Sequence, residues 1–70
     1  MRVNEIMARV DDTELVYLHL GSCEIKDYKY GIINDPIYRE NHVGDWLVTD
    51  ICDQKMTPNE HVLAITACSL

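Results

Sequence analysis

Seventy residues carry twelve acidic and six basic side chains, a formal charge of −6, and 47% of the chain is hydrophobic. That length allows one domain, residues 1–70, with a small core, because a chain this short buries only about 60% of the surface its unfolded form exposes. Three Gly, two Pro and apolar residues spread throughout exclude a disordered segment.

The acids are evenly spread, seven against four bases in residues 1–35 and five against two in residues 36–70. The excess therefore belongs to a folded surface and not to a tail. A nucleic-acid binder needs clustered Lys and Arg, whereas Arg2, Arg9, Lys26, Lys29, Arg39 and Lys55 are scattered, so direct nucleic-acid binding is not expected. The first ten residues lack the apolar run of a secretory leader, and no apolar run reaches membrane-spanning length. With an odd number of cysteines, Cys23, Cys52 and Cys68, the expectation is a cytoplasmic protein with free thiols and no membrane contact.

In chain order, Val3–Val10 is the first ambiguous segment. Val3, Ile6, Met7 and Val10 fall at helical spacing, yet Asp11 and Asp12 would stand at the unfavourable end of such a helix. The strand reading is preferred, as the first arm of a hairpin. Thr13–Leu20 (TELVYLHL) is the clearest strand, with Leu15, Tyr17 and His19 on one face and Val16, Leu18 and Leu20 on the other. Both faces are largely apolar, which predicts a central or doubly covered strand. Gly21–Ser22 reads as a turn.

Cys23–Ile33 is a second β segment whose parity changes midway, predicting a bulge near Lys26–Asp27. Asn34–Asp35–Pro36 is a turn signal, and Pro36–Asp45 reads as the longest loop. Trp46–Cys52 resumes strand character, with Asp50 as its polar interruption. Asp53–Asn59 reads as a loop. From there two readings stay open. Thr57-Pro58-Asn59-Glu60 matches a capping box, which would start a short helix, while the β-branched content of His61–Ala67 favours a strand. The predicted fold is mainly β or α+β: a small antiparallel curled sheet of four or five strands, with one short C-terminal helix as the variant.

Chemistry-bearing constellations are sparse. No Cys or His pair has the tight spacing of a structural zinc site, the isolated glycines form no phosphate loop, and no carboxylate pair is placed in an evident cleft. The chain therefore reads as non-catalytic, with no cofactor and no metal. Tyr28, Tyr30, Tyr38 and Arg39 form a mixed aromatic and polar segment of the kind interfaces use as anchors, and they are the candidate protein-binding residues. Asp45, Asp50, Asp53 and Glu60 are the candidate acidic surface. The leading functional expectation is a small acidic regulator or inhibitor of a larger protein, a basic one in particular. The alternatives are a homo-oligomer or accessory subunit, an inhibitor that mimics nucleic acid with those four carboxylates, and a small metal- or Cys-dependent enzyme.

Overall fold

The computed structural model describes residues 1–57 and 60–69, with side chains for residues 1–53 and 61–69. The chain opens with a helix, α1 (Val3–Met7), and not with a strand. Val3, Ile6 and Met7 are buried together with Val10, which is the face their spacing describes. The Glu5 carboxylate accepts from the Arg2 backbone N–H at 3.0 Å, satisfying one donor at the helix start. The dipole objection fails for a simple reason: α1 ends at Met7, four residues before Asp11, so Asp11 and Asp12 stand beyond its last turn.

β1 (Leu15–His19) and β2 (Glu24–Tyr28) form the hairpin. Gly21 supplies a φ of +87° in the two-residue turn Gly21–Ser22, a conformation that glycine adopts without a Cβ clash. The predicted bulge at Lys26–Asp27 is absent. Instead β2 stops at Tyr28 and a helix, α2 (Lys29–Ile33), begins. The parity change came from this switch of period. Asn34–Asp35–Pro36 starts a further helix, α3 (Pro36–Glu40), where a loop was expected. Asp35 is its N-cap, accepting from Ile37 N–H at 2.8 Å, and Pro36 takes the first helical position, where its missing N–H is harmless. A 3₁₀ turn, Val43–Asp45, follows.

β3 (Leu47–Thr57) runs well past the predicted end at Cys52, and β4 (Glu60–Cys68) is a strand. The C-terminal helix variant is thereby overturned. Of its capping box, Pro58 and Asn59 lie outside the described residues, and Glu60 already belongs to β4.

The sheet has the order β2-β1-β4-β3. β1 pairs antiparallel with β2, β3 pairs antiparallel with β4, and β1 lies parallel to β4. The architecture is therefore mixed α+β on a mixed sheet, correcting the expectation of a curled antiparallel one. The cause is the route between β2 and β3. α2, α3 and the 3₁₀ turn form a long crossover, which is what a parallel neighbour requires.

All the helical core residues pack on one face of this sheet. Val3, Ile6, Met7, Ile32 and Val43 form one cluster with Val16, Leu18 and Leu20 of the β1 segment, Ile25, Ile65 and Ala67. Leu18, Ile32, Ile65, Val3, Val16 and Val43 are fully buried. Leu18, Ile25, Ile65 and Ile51 occupy one cross-strand row. Ile51, at the β3 end of that row, remains 44% exposed, so the helices cover the middle of the sheet and leave this edge bare. β1 is central, as expected, but among the described residues helices cover it on one side only.

Candidate functional site

Alternation along the strands places a second set of side chains on the face opposite the helices. The register brings three cross-strand rows there. Asp50, Thr66, His19 and Glu24 form one; Cys52, Ala64, Tyr17 and Lys26 form the next; Val62, Leu15 and Tyr28 form the third. None of these residues belongs to the helix-side core cluster, yet Val62 is only 3% exposed. Leu15, Tyr17, Ala64 and Thr66 are half-buried by one another and by the strands beside them. Among the described residues, this is an apolar centre with a polar margin and no helical layer.

The centre is ordered by Glu24. Its carboxylate accepts the Tyr17 phenolic hydrogen bond and lies 3.3 Å from His19 Nδ1. The two rings stack, with centroids 4.3 Å apart and planes 19° from parallel. Lys26 Nζ stands 5.9 Å from the Tyr17 ring centroid, within cation–π range. The Tyr17 phenol is held above its ordinary pKa, first by its hydrogen bond to Glu24, then by desolvation and the Glu24 charge. The phenol therefore stays protonated as a donor, and Glu24 locks both rings into a ridge along β1. His19 and Glu24 remain substantially solvated, with 39% and 55% of their side chains exposed. A charge developing beside them would meet water and not the low-dielectric pocket that makes such groups catalytically strong.

The residues singled out from sequence are dispersed around this face. Tyr28 sits on it at the end of β2, 56% exposed, and Tyr30 projects from α2 at 66%. Tyr38 is elsewhere: it packs against the helix-side core and, with Arg39, lines an open cleft of about 300 Å³ whose other walls are Ile33, His42, Gly44 and Asp45. Burial, and then the Asp45 charge, raise the Tyr38 pKa. His42 enters this cleft from a left-handed backbone conformation, φ 52°.

Of the acidic set, Asp45 lies in the cleft, while Asp50 and Asp53 fall at register positions of opposite parity. Asp50 pairs with Thr66 on the uncovered side, and Asp53 pairs with Leu63 on the helix side, where it meets His61 Nδ1 at 3.6 Å. The Glu60 side chain lies outside the described residues. Asp45, Asp50 and Asp53 do not share the single surface that phosphate mimicry needs.

Cys23 is half-buried, Cys52 and Cys68 are exposed, and all three are free thiols. Among the described residues no group of three His, Cys, Asp or Glu side chains is arranged to hold a metal ion, and no helix is long and apolar enough to cross a membrane. No protein-family model, curated protein or solved structure matches the chain.

Sequence reasoning missed Tyr17, His19, Glu24 and Lys26 as a unit. The signal was present. A two-residue turn at Gly21–Ser22 fixes His19 opposite Glu24 and Tyr17 opposite Lys26, since register in a hairpin follows from loop length.

Proposed function

We propose that this chain is a non-catalytic protein-binding module whose docking surface is the uncovered sheet face. The observation that carries the reading is the asymmetry of the sheet. One face carries every helical core residue, while the other presents Leu15, Tyr17 and Ala64 inside a margin of Glu24, Lys26, His19 and Asp50. An apolar centre with a polar rim is the anatomy of a protein interface, and an aromatic held rigid before contact loses little entropy on binding. The acidic balance of the chain adds long-range attraction to a basic partner.

The test is affinity capture from lysate of the native cells, with the wild-type chain beside Ala64→Arg and Tyr17→Ala. Both variants are first matched to wild type by far-ultraviolet circular dichroism. A protein retained by wild type and lost by both variants supports the reading. Equal retention by all three refutes it, and shifts attention to the Tyr38–Arg39 cleft.

A further inference from the structure

The identity of the occupant can be narrowed by its shape and charge, given that the uncovered face is the docking surface. Three kinds of protein partner fit a bare sheet: a strand added at its edge, a second sheet stacked on it, or a helix laid across it.

The edges are guarded against the first. At the start of β3 the free edge is already occupied, since Val48 N–H donates to the Met1 carbonyl at 2.8 Å and Arg2 bridges to Leu47. A register break follows between Val48 and Asp50. Bulges, charges and short strands are the features that discourage strand addition. On the other edge, β2 is five residues long with Lys26 at its middle.

A second sheet needs a flat counterpart, and this face is stepped. The stacked Tyr17 and His19 rings stand as a ridge on β1, and the shorter Ala64 and Thr66 lie beside them on β4. The second copy of the chain that would bring such a sheet also carries −6, so the two would repel on approach. A convex rod fits the step better. The protein already uses that solution on the opposite face, where α2 packs on β1 and β2.

Charge sets the rest. Glu24 on β2 and Asp50 on β3 lie in one cross-strand row, at the two edges of the sheet. The edges are separated by three strand spacings, about 14 Å, and a helix with its side chains is about 10–12 Å across. A helix lying along β1 and β4 would therefore have a carboxylate on each flank of that row, with Lys26 in the next row on the β2 side.

We propose that the uncovered face receives an amphipathic helix from a basic partner. Its apolar stripe lies beside the Tyr17–His19 ridge, over Ala64, and its flanking Lys or Arg side chains reach Glu24 and Asp50. Recognition is of the helix-in-groove kind, with anchors at i, i+3, i+4 and i+7.

The test uses the full chain labelled with ¹⁵N and two synthetic helical peptides sharing one Leu/Ala stripe, flanked by Lys in the first and by Glu in the second. The Lys peptide is expected to shift the amides of Leu15, Tyr17, Ala64 and Thr66 and to bind at least about tenfold more tightly than the Glu peptide. That preference is expected to shrink as salt rises from about 50 to about 500 mM, through screening. It is also expected to disappear in the Glu24→Gln, Asp50→Asn double variant, which keeps the apolar face intact. Equal affinity for both peptides, no binding of the Lys peptide, or shifts confined to the Ile33–Arg39 cleft would overturn the proposal. So would concentration-dependent shifts on the same face without peptide, which would make a second copy the occupant. If Ala64→Arg abolishes capture from lysate while the Lys peptide fails to bind, only the helix proposal falls. If Ala64→Arg leaves capture unchanged, the docking surface itself is wrong.

Discussion

Two leucines three positions apart on β1, in opposite roles, test the central feature of this fold. Leu18 is fully buried on the helix side, whereas Leu15 is half-buried on the uncovered side of the same strand. Leu18→Ala removes three carbon atoms from a closed core that the helices cannot refill, so it costs about 3 kcal/mol. Leu15→Ala leaves no enclosed cavity and forfeits only part of a side-chain transfer, about 1 kcal/mol. At about 0.05–0.15 kcal/mol per residue, a chain of this size has roughly 3.5–10 kcal/mol of stability, so the first change is severe and the second is tolerable. With a urea m-value of about 1 kcal/mol/M, the midpoints fall by about 3 M and about 1 M. Trp46 reports the transition, because its indole N–H donates to the Asn41 carbonyl at 3.0 Å and its ring packs against the core. Equal losses, or a larger loss at Leu15, would mean that both faces are covered and that no free docking surface exists. Partner binding sharpens the contrast: a ligand that covers Leu15 makes the Leu15 change, and not the Leu18 change, weaken affinity.

Gly21→Ala is expected to lower stability by about 1–2 kcal/mol, measured by the same urea melts. A Cβ there meets nothing within 4 Å, so the loss is conformational and follows from the φ of +87°; an unchanged midpoint would refute the assigned turn. Asp35→Ala removes the α3 cap and should cost about 1 kcal/mol, with Asp35→Asn recovering most of it; the hydrogen bond to Ile37 N–H is the cause. Tyr17 should ionise above the usual value of 10.0 in an ultraviolet titration, and Glu24→Gln should bring it down, because the hydrogen bond to Glu24 is the largest cause of the rise. A phenol whose folded pKa is raised contributes stability that is complete below pH 10.0 and lost as pH climbs through the folded value. Alkaline melts of wild type and Glu24→Gln should therefore diverge below that window and converge above it.

The β1–β2 hairpin was legible because its signals are local. Alternation in Leu15–Leu20 and the Gly21–Ser22 turn point the same way. The helices were obscured by residues that serve two structures. Asn, Asp and Pro favour a turn and also favour a helix start, so Asn34–Asp35–Pro36 carried both meanings, and only the packing of Ile32 and Ile33 against the sheet selects between them. In Tyr28–Tyr30–Ile32 an alternation of period two runs across a strand end and a helix start, and the eye follows the wrong period. The parallel contact of β1 with β4 joins residues forty-seven positions apart, as in Leu15 with Val62. No local pattern encodes such a pairing, because it is decided by how the crossover helices bury their apolar faces.

Of the candidate site, the aromatic character was legible and the membership was not. Tyr28 belongs to the uncovered face, while Tyr38 turns inward beside Gly44, where an added Cβ would stand 3.2 Å from the phenol oxygen. The clue that best identifies the face is the amphipathic paradox of β1: both of its faces are apolar, but the chain has helical residues enough to cover only one. A small protein that leaves half of its central strand bare needs a reason not to aggregate through it. The charge of −6 supplies one, because like-charged copies repel at the range where apolar surfaces do not yet attract. Glu24 supplies another, since binding both Tyr17 and His19 gives the ridge polar partners. On the proposed reading, the same carboxylates that keep identical copies apart would draw in a cationic helix, which would make the acidity of the chain and the bareness of its sheet two halves of one device.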